Sequence, residues 1–304
     1  MKPSNTVIWL ATLIVVLALS AASIGFFWQT GGQPFIFTSL RGQPVQIYGQ
    51  GLYRYDTLFT GAANRANDVV TLMLGIPLLV ITTVLYHRGS LRGGLLLLGT
   101  LVYFLYLYGS YALGIAFNRL FLVYIALFSA SLFAFVLTFV SIDRQVLSAR
   151  LSSHAPQRGL AIFMFASGLV TLIVWLQPLL SALLQNKAPE LLGAYTTTIT
   201  DVLDLGIITP ATIIAGVLLL RRNALGYLVA FSLLVLEVML APMITAQTIS
   251  QLSAGISFSM GAIVGPIMGF VILALVAGWM LVALLRSIAP SSTKQPTALR
   301  AAHA

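Results

Sequence analysis

DVVTLMLGIPLLVITTVLYHRGSLRGG, residues 68–94, and DVLDLGIITPATIIAGVLLLRRNALGY, residues 201–227, align over 27 residues without a gap. Each opens on an aspartate, runs through an almost unbroken apolar stretch and closes on an arginine followed by a glycine. A helix rises about 1.5 Å per residue, so about 20 apolar residues cross a hydrocarbon core of about 30 Å. Each segment therefore reads as one membrane-spanning helix. Identities fall at Asp68/Asp201, Val69/Val202, Leu72/Leu205, Pro77/Pro210, Ile81/Ile214, Val84/Val217, Leu85/Leu218, Arg88/Arg221 and Gly93/Gly226. Apolar helices match one another by chance, so the acid, the proline, the arginine and the glycine carry the weight of the comparison.

The rest of the chain agrees with a lipid solvent. Of its 304 residues 59% are hydrophobic and 8% charged, with a mean hydropathy of +0.99, whereas a soluble domain carries about 25% charged residues. Hydropathy places spans at Thr6 to Trp28, Asp68 to Tyr86, Gly94 to Phe117, Leu120 to Ile142, Gly159 to Leu184, Asp201 to Leu220, Leu225 to Ala246 and Met260 to Leu285. The expected fold class is all-α, a polytopic bundle of eight transmembrane helices forming a single domain over residues 1–288. Half-repeats are expected over about 1–142 and 158–288, with an outer loop at 29–67 and a disordered cytoplasmic tail at 289–304.

Basic residues set the orientation. With Lys2 inside, Arg88, Arg92, Arg144, Arg150, Arg158, Arg221, Arg222, Arg286, Lys294 and Arg300 are also inside, against Arg41, Arg54, Arg65, Arg119 and Lys187 outside. That excess follows the positive-inside rule and puts both termini in the cytoplasm. Segments 68–94 and 201–227 then run the same way, so the expected repeat is parallel, four helices plus four, about an axis along the membrane normal. Each proline is expected to free a backbone carbonyl and kink its helix.

Two segments admit two readings. Lys2 ahead of an apolar stretch with small residues at Ala18 to Ala22 has the shape of a signal peptide, but apolar character continues through Trp28, which favours a retained helix. In the long connection, Gln50 to Phe59 reads either as a surface loop with interfacial tyrosines, the simpler account, or as a small cap or re-entrant turn.

Composition excludes several chemistries. Without cysteine there are no disulfides, thiolate metal sites or iron–sulfur clusters. Net charge is +9, but the basic residues form no dense patch that would suit nucleic acid. The histidines, His87, His154 and His303, fall in inside connections or the tail, so no histidine-held metal or haem is expected in the membrane. No cofactor and no catalytic residue is assigned.

The candidate site residues are the polar groups that the membrane makes costly. Glu237 sits mid-membrane in the seventh span, where a carboxylate costs on the order of 3 kcal/mol and is a functional candidate by default. No Lys or Arg lies at its depth, so its partners are expected among Tyr103, Tyr106, Ser110, Thr209 and Thr212, or a bound cation. Asp204 ranks next. Asp201 and Asp68 suit helix N-caps better than a site. Tyr103 and Tyr106 place hydroxyls where partners are needed, and with Ser110 they share a helix face. Arg54, Asp56, Arg65 and Asp68 would together make an outer-leaflet site for a lipid headgroup. Gly261, Gly265 and Gly269 form a small-residue ridge beside Pro266, a packing signal.

Tyr53 to Phe59, then Asp68, Gly75, Ile76 and Pro77, the turn His87-Arg88-Gly89-Ser90-Leu91-Arg92-Gly93 and the tyrosines from Tyr103 to Tyr111 resemble a group of bacterial multi-pass membrane proteins with no assigned function. The resemblance covers chiefly residues 50–142. It implies a bacterial cytoplasmic membrane and lends no substrate, cofactor or catalytic residue. The leading functional expectation is a transporter for a small solute or ion, in contact with membrane lipids, whose site opens outward between the halves. A lipid-interacting or enzyme-like protein and a structural membrane subunit are the alternatives.

Overall fold

Eight helices long and apolar enough to cross a bilayer form the chain, and the computed structural model describes residues 3–152, 155–259 and 267–289 of it. Lys2, His154, Gly261, Gly265, Pro266 and the expected tail beyond Ala289 lie outside the described residues. In order, the elements are α1 (Asn5–Phe27), a hairpin of β1 (Phe35–Thr38) and β2 (Pro44–Ile47), α2 (Leu58–His87), α3 (Leu91–Gly114), α4 (Phe121–Ser141), the short α5 (Arg144–Arg150), α6 (Gln157–Leu184), α7 (Ile199–Leu220), α8 (Ala224–Ser253) and α9 (Met268–Ser287). All the helices but α5 are spans. Trp9, Leu122, Val140 and Leu275 are each more than two-thirds exposed on them, an arrangement that hydrocarbon tolerates and water does not. The protein is an all-α integral membrane bundle.

The spans alternate in direction, so one face carries the β1–β2 hairpin and the other the α2–α3 and α7–α8 turns with Arg88, Arg92, Arg221 and Arg222. We call these the hairpin face and the arginine face. On the arginine face, Leu151 bridges Ile288 in antiparallel fashion, and Arg92 donates to the Ile288 carbonyl. At the centre lie α3 and α8. In their most apolar stretches 67% and 61% of residues are buried, against 22–39% in the other spans. Around that pair, α1 packs on α2 and α4, α3 on α2 and α4, and α8 on α2, α7 and α9, with α6 on α7.

Two helices outrun their expected ends, for one reason. The second span starts at Leu58, ten residues before Asp68, capped by Thr57, whose Oγ1 accepts from the Thr60 N–H at 3.2 Å. The seventh continues seven residues beyond Ala246, to Ser253. These polar extensions satisfy each other: Gln247 donates to Asn67 (2.7 Å), Ser250 to the Ala62 carbonyl (2.7 Å) and Gln251 to the Phe59 carbonyl (3.2 Å). Hydropathy penalises polar residues singly and cannot see that they are paired.

Asp68 is therefore not a cap; it lies buried inside α2. Asp201 is not one either, because Thr198 holds the N-cap position of α7 and Asp201 sits in the first turn. The connection also departs from the simpler reading. Phe35 pairs with Ile47 and Thr38 with Pro44 in the hairpin, and Tyr48, Leu52, Tyr53 and Asp56 are buried to 4% exposure or less. Residues 47–57 are a packed cap, with Arg54 and Tyr55 turned outward.

Ahead of Pro77 and Pro210 the helix widens into a π-turn, Thr71–Gly75 in α2 and Asp204–Ile208 in α7. The Ile76 N–H reaches the Thr71 carbonyl and the Thr209 N–H the Asp204 carbonyl. A proline has no N–H to donate and its ring crowds the preceding turn. Where a freed carbonyl was expected, each helix accommodates its proline with a wider turn, a form frequent at functional sites.

The two segments share further local features at the same offset of 133 residues. Gly89 and Arg222 both have positive φ, 73° and 58°. Next in the chain, Ser90 caps α3 by accepting from the Gly93 N–H and Asn223 caps α8 by accepting from the Leu225 N–H. A left-handed conformation costs a residue with a Cβ about 1–2 kcal/mol and glycine almost nothing. Arg222→Gly is accordingly expected to raise the unfolding midpoint by an amount equivalent to roughly 1 kcal/mol, with Arg222→Ala leaving it unchanged. Of the glycine ridge only Gly269 is described, and a Cβ added there would meet nothing within 4 Å. It marks no close helix contact among the described residues.

Candidate functional site

Glu237 lies about 20 Å of helical rise from Ala224 along α8, with 6% of its surface exposed. One carboxylate oxygen, Oε1, accepts from the Ser167 hydroxyl of α6; the other, Oε2, is buried with no partner. The expected partners do not reach it. Ser110 turns back onto the Tyr106 carbonyl, Thr212 onto the Thr209 carbonyl, and Tyr103 bonds to Thr71 at 3.0 Å. Ser167 is missing from that set, although Ser167 and Thr171, four apart, form a polar stripe on an apolar helix that would have identified it.

Asp204 is the first residue of the α7 π-turn and accepts from the Tyr106 hydroxyl of α3 at 2.9 Å. The indole of Trp175 also lies beside it, its N–H buried and without a well-formed hydrogen bond. Asp204 and Glu237 line one cavity of about 30 Å³, together with Tyr106, Ser167, Thr171 and the apolar side chains of α9. That volume holds one or two waters. No Lys or Arg lines it. Three of the candidate residues, Glu237, Asp204 and Tyr106, are thus brought together. Four of the five helices around them lie in the C-terminal half of the chain, and α3, in the N-terminal half, supplies Tyr106.

The remaining candidates are placed apart. Tyr103 holds Thr71, the first residue of the α2 π-turn, just as Tyr106 holds Asp204, the first of the α7 π-turn. One helix thereby grips both widened turns. Asp201 stands one turn from Asp204 toward the hairpin face. Asp68 accepts from the Tyr53 hydroxyl at 2.7 Å inside a cluster with Tyr108, Tyr111 and Tyr124. Burial beside that carboxylate pushes the Tyr53 phenol well above its ordinary range. Arg54 stacks over Tyr55 and Arg65 over Phe26, at 5.1 and 5.2 Å from the ring centres. Arg54, Asp56, Arg65 and Asp68 therefore have separate partners.

Asp56 joins three connections on the hairpin face. Its Oδ1 accepts from the Ala116 N–H at 2.8 Å and from the Tyr195 hydroxyl at 2.7 Å, while Oδ2 is buried without a partner. Burial raises its pKa from 3.8 to about 6, against the lowering effect of those two donors. The folded state then binds the proton more tightly than the unfolded chain, so Asp56 makes stability fall as pH rises from 3.8 to about 6 and adds no further change above that. The full difference is about 3 kcal/mol. Across this window the wild-type thermal midpoint is expected to fall more steeply than that of Asp56→Asn, which has no proton to lose; parallel profiles would show that Asp56 does not titrate there.

Two hydroxyl-supported carboxylates in one cavity, with no Lys or Arg among the described residues that line it, form an oxygen donor set suited to a proton or a small hard cation, and poorly suited to soft metals. No protein-family model matches the chain, and comparison with curated proteins and with solved structures finds no match, so the reading of this site rests on its own residues.

Proposed function

We propose that the protein is a small transporter of the bacterial cytoplasmic membrane in which Asp204 and Glu237 bind the ion that couples to movement of a small solute. The observation that carries this reading is the shared cavity: two intramembrane acids, one with an unpartnered oxygen, face each other's helices with no basic residue to neutralise them. Such acids are costly to keep in a membrane and mark ion pathways. The hairpin face is the outer face in this reading, and both termini are cytoplasmic, supported by the arginines gathered at the opposite ends of the helices. Two further features support it. The π-turn at Asp204 is a point where α7 can change its winding, and the matched turns of α2 and α7 suit a parallel duplication of four helices plus four.

The test is flux. Purified protein in liposomes is expected to move a cation or a co-transported solute down an imposed gradient, with Asp204→Asn and Glu237→Gln folded but inactive. Variants that match wild type for every solute carried would remove the reading. The alternative of an outer-leaflet lipid site loses support, because the four residues it needs are each engaged elsewhere.

A further inference from the structure

We infer that the ligand of the Asp204–Glu237 cavity is a proton and not a metal cation, and that the site is not repeated at the matching positions of the N-terminal half. The inference deepens the transport reading by naming the coupling ion, but proton binding is measured without any flux. Three observations lead to it.

The first is the state of the oxygens. Asp204 Oδ1 and Glu237 Oε1 are each occupied by a hydroxyl donor, from Tyr106 and Ser167, and Glu237 Oε2 is buried with nothing to accept. A buried acceptor left unpaired is costly. A single proton on Oε2 removes that cost: the group becomes O–H, a donor, and a water in the cavity or the Asp204 carboxylate accepts from it. The balance is simple, hydronium giving its proton to the carboxylate and leaving as water.

The second is the wall. A hard divalent ion asks for about six oxygens around it. Here the polar lining is limited to the two carboxylates and the hydroxyls of Tyr106, Ser167 and Thr171, and Leu233, Leu236 and Leu240 with the α9 side chains close the rest. With about 30 Å³ available, too few waters fit to complete a metal's shell. A proton needs one oxygen.

The third is that the arrangement is not duplicated. At the 133-residue offset, Asp204 corresponds to Thr71 and Glu237 to Phe104. Thr71 bonds to Tyr103 in a neutral pair, and Phe104 packs edge-on against that tyrosine. The widened turn is shared by α2 and α7, but Thr71 and Phe104 stand where Asp204 and Glu237 supply the two acids of the cavity. The titratable groups facing the cavity are Tyr106 from α3, Asp204 from α7 with Asp201 one turn away, and Glu237 from α8. The residues that α6 and α9 contribute to the lining do not titrate.

The test is infrared difference spectroscopy of the full chain in lipid nanodiscs, following the C=O band of protonated carboxyls through an acid-to-alkaline jump. Wild type is expected to lose a band that is reduced in Asp204→Asn and Glu237→Gln and absent from the double variant, the remaining signal belonging to Asp56 and Asp68. Ser167→Ala is expected to keep the band and move its frequency, because the hydroxyl bonded to Glu237 is gone. Sodium, potassium or magnesium added at fixed pH should leave the band where it is. A band unchanged in the double variant would overturn the inference, and so would a band that sodium or magnesium removes at constant pH. Titration without flux would retire the transport reading and leave the proton site standing; sodium-driven flux with no titrating band would do the reverse.

Discussion

Gly99→Leu is expected to yield a protein that inserts but does not hold its bundle, and Gly99→Ala one that is measurably weakened. Gly99 lies in α3 where it crosses α8, the two helices with the greatest buried share. A Cβ at Gly99 would come within 2.5 Å of the Val235 Cβ and 3.1 Å of the Phe231 carbonyl oxygen. Neither atom is the end of a flexible side chain. A β-branched Cβ and a helix carbonyl move only if the helix moves, so the substitution is relieved by separating α3 from α8. Insertion of one extra methyl group into a packed interior costs about 1–3 kcal/mol. Against a net stability of about 5–15 kcal/mol the alanine variant should survive with a lowered unfolding midpoint. Leucine adds three more carbons at the same crossing and forces a wider separation, which also loosens the helices that α3 and α8 hold, including α7 with Asp204. Detergent-solubilised Gly99→Leu should elute as a broadened or aggregated species, with Gly99→Ala monodisperse and less heat-resistant. A leucine variant with the wild-type midpoint would mean that α3 and α8 are not in contact at Gly99.

What the sequence reveals and what it conceals divide along one physical line. Span number is legible because lipid imposes a length on apolar runs, and that constraint acts on residues one at a time. Pairing between distant residues leaves no such mark. Asn67, Gln247 and Gln251 read as the polar edges of two spans, whereas they are interior residues of longer helices that bond across the interface between α2 and α8. Asp68 reads as a cap because the apolar stretch begins there; ten residues of helix precede it, held by those pairs. Glu237 and Asp204 are identifiable as costly residues, yet nothing in their spacing says that they share a cavity. Ser167 is the clearest omission: its spacing from Thr171 marks a polar stripe, and the fold sets that stripe opposite a carboxylate. The tyrosines of α3 are half legible. Their need for partners is plain from depth, while the division of Tyr103 to α2 and Tyr106 to α7 depends on where the two π-turns present Thr71 and Asp204.

The same separation of single residues from pairs underlies the expected behaviour of Gly25, where α1 meets the buried acid of the N-terminal half. An added Cβ at Gly25 would lie 2.0 Å from Asp68 Oδ2 and 2.7 Å from the Tyr53 hydroxyl, which are bonded to each other. Gly25→Ala therefore does two things: it overfills the contact, at about 1–3 kcal/mol, and it pushes apart the buried Tyr53–Asp68 hydrogen bond, at about 1–3 kcal/mol. The expected loss is about 2–6 kcal/mol, read from the unfolding midpoint. Asp68→Ala alone removes the carboxylate that accepts from the Tyr53 hydroxyl and should cost about 1–3 kcal/mol. In the double variant the new methyl enters space that the carboxylate has left, so the two losses should fall short of adding by about 1–2 kcal/mol. Gly269→Ala, at a glycine with open space around it, serves as the comparison and should leave the midpoint unchanged. Additive losses at Gly25 and Asp68 would mean that α1 does not approach α2 at this point, and that the tyrosine cluster around Asp68 is closed by something other than the first helix.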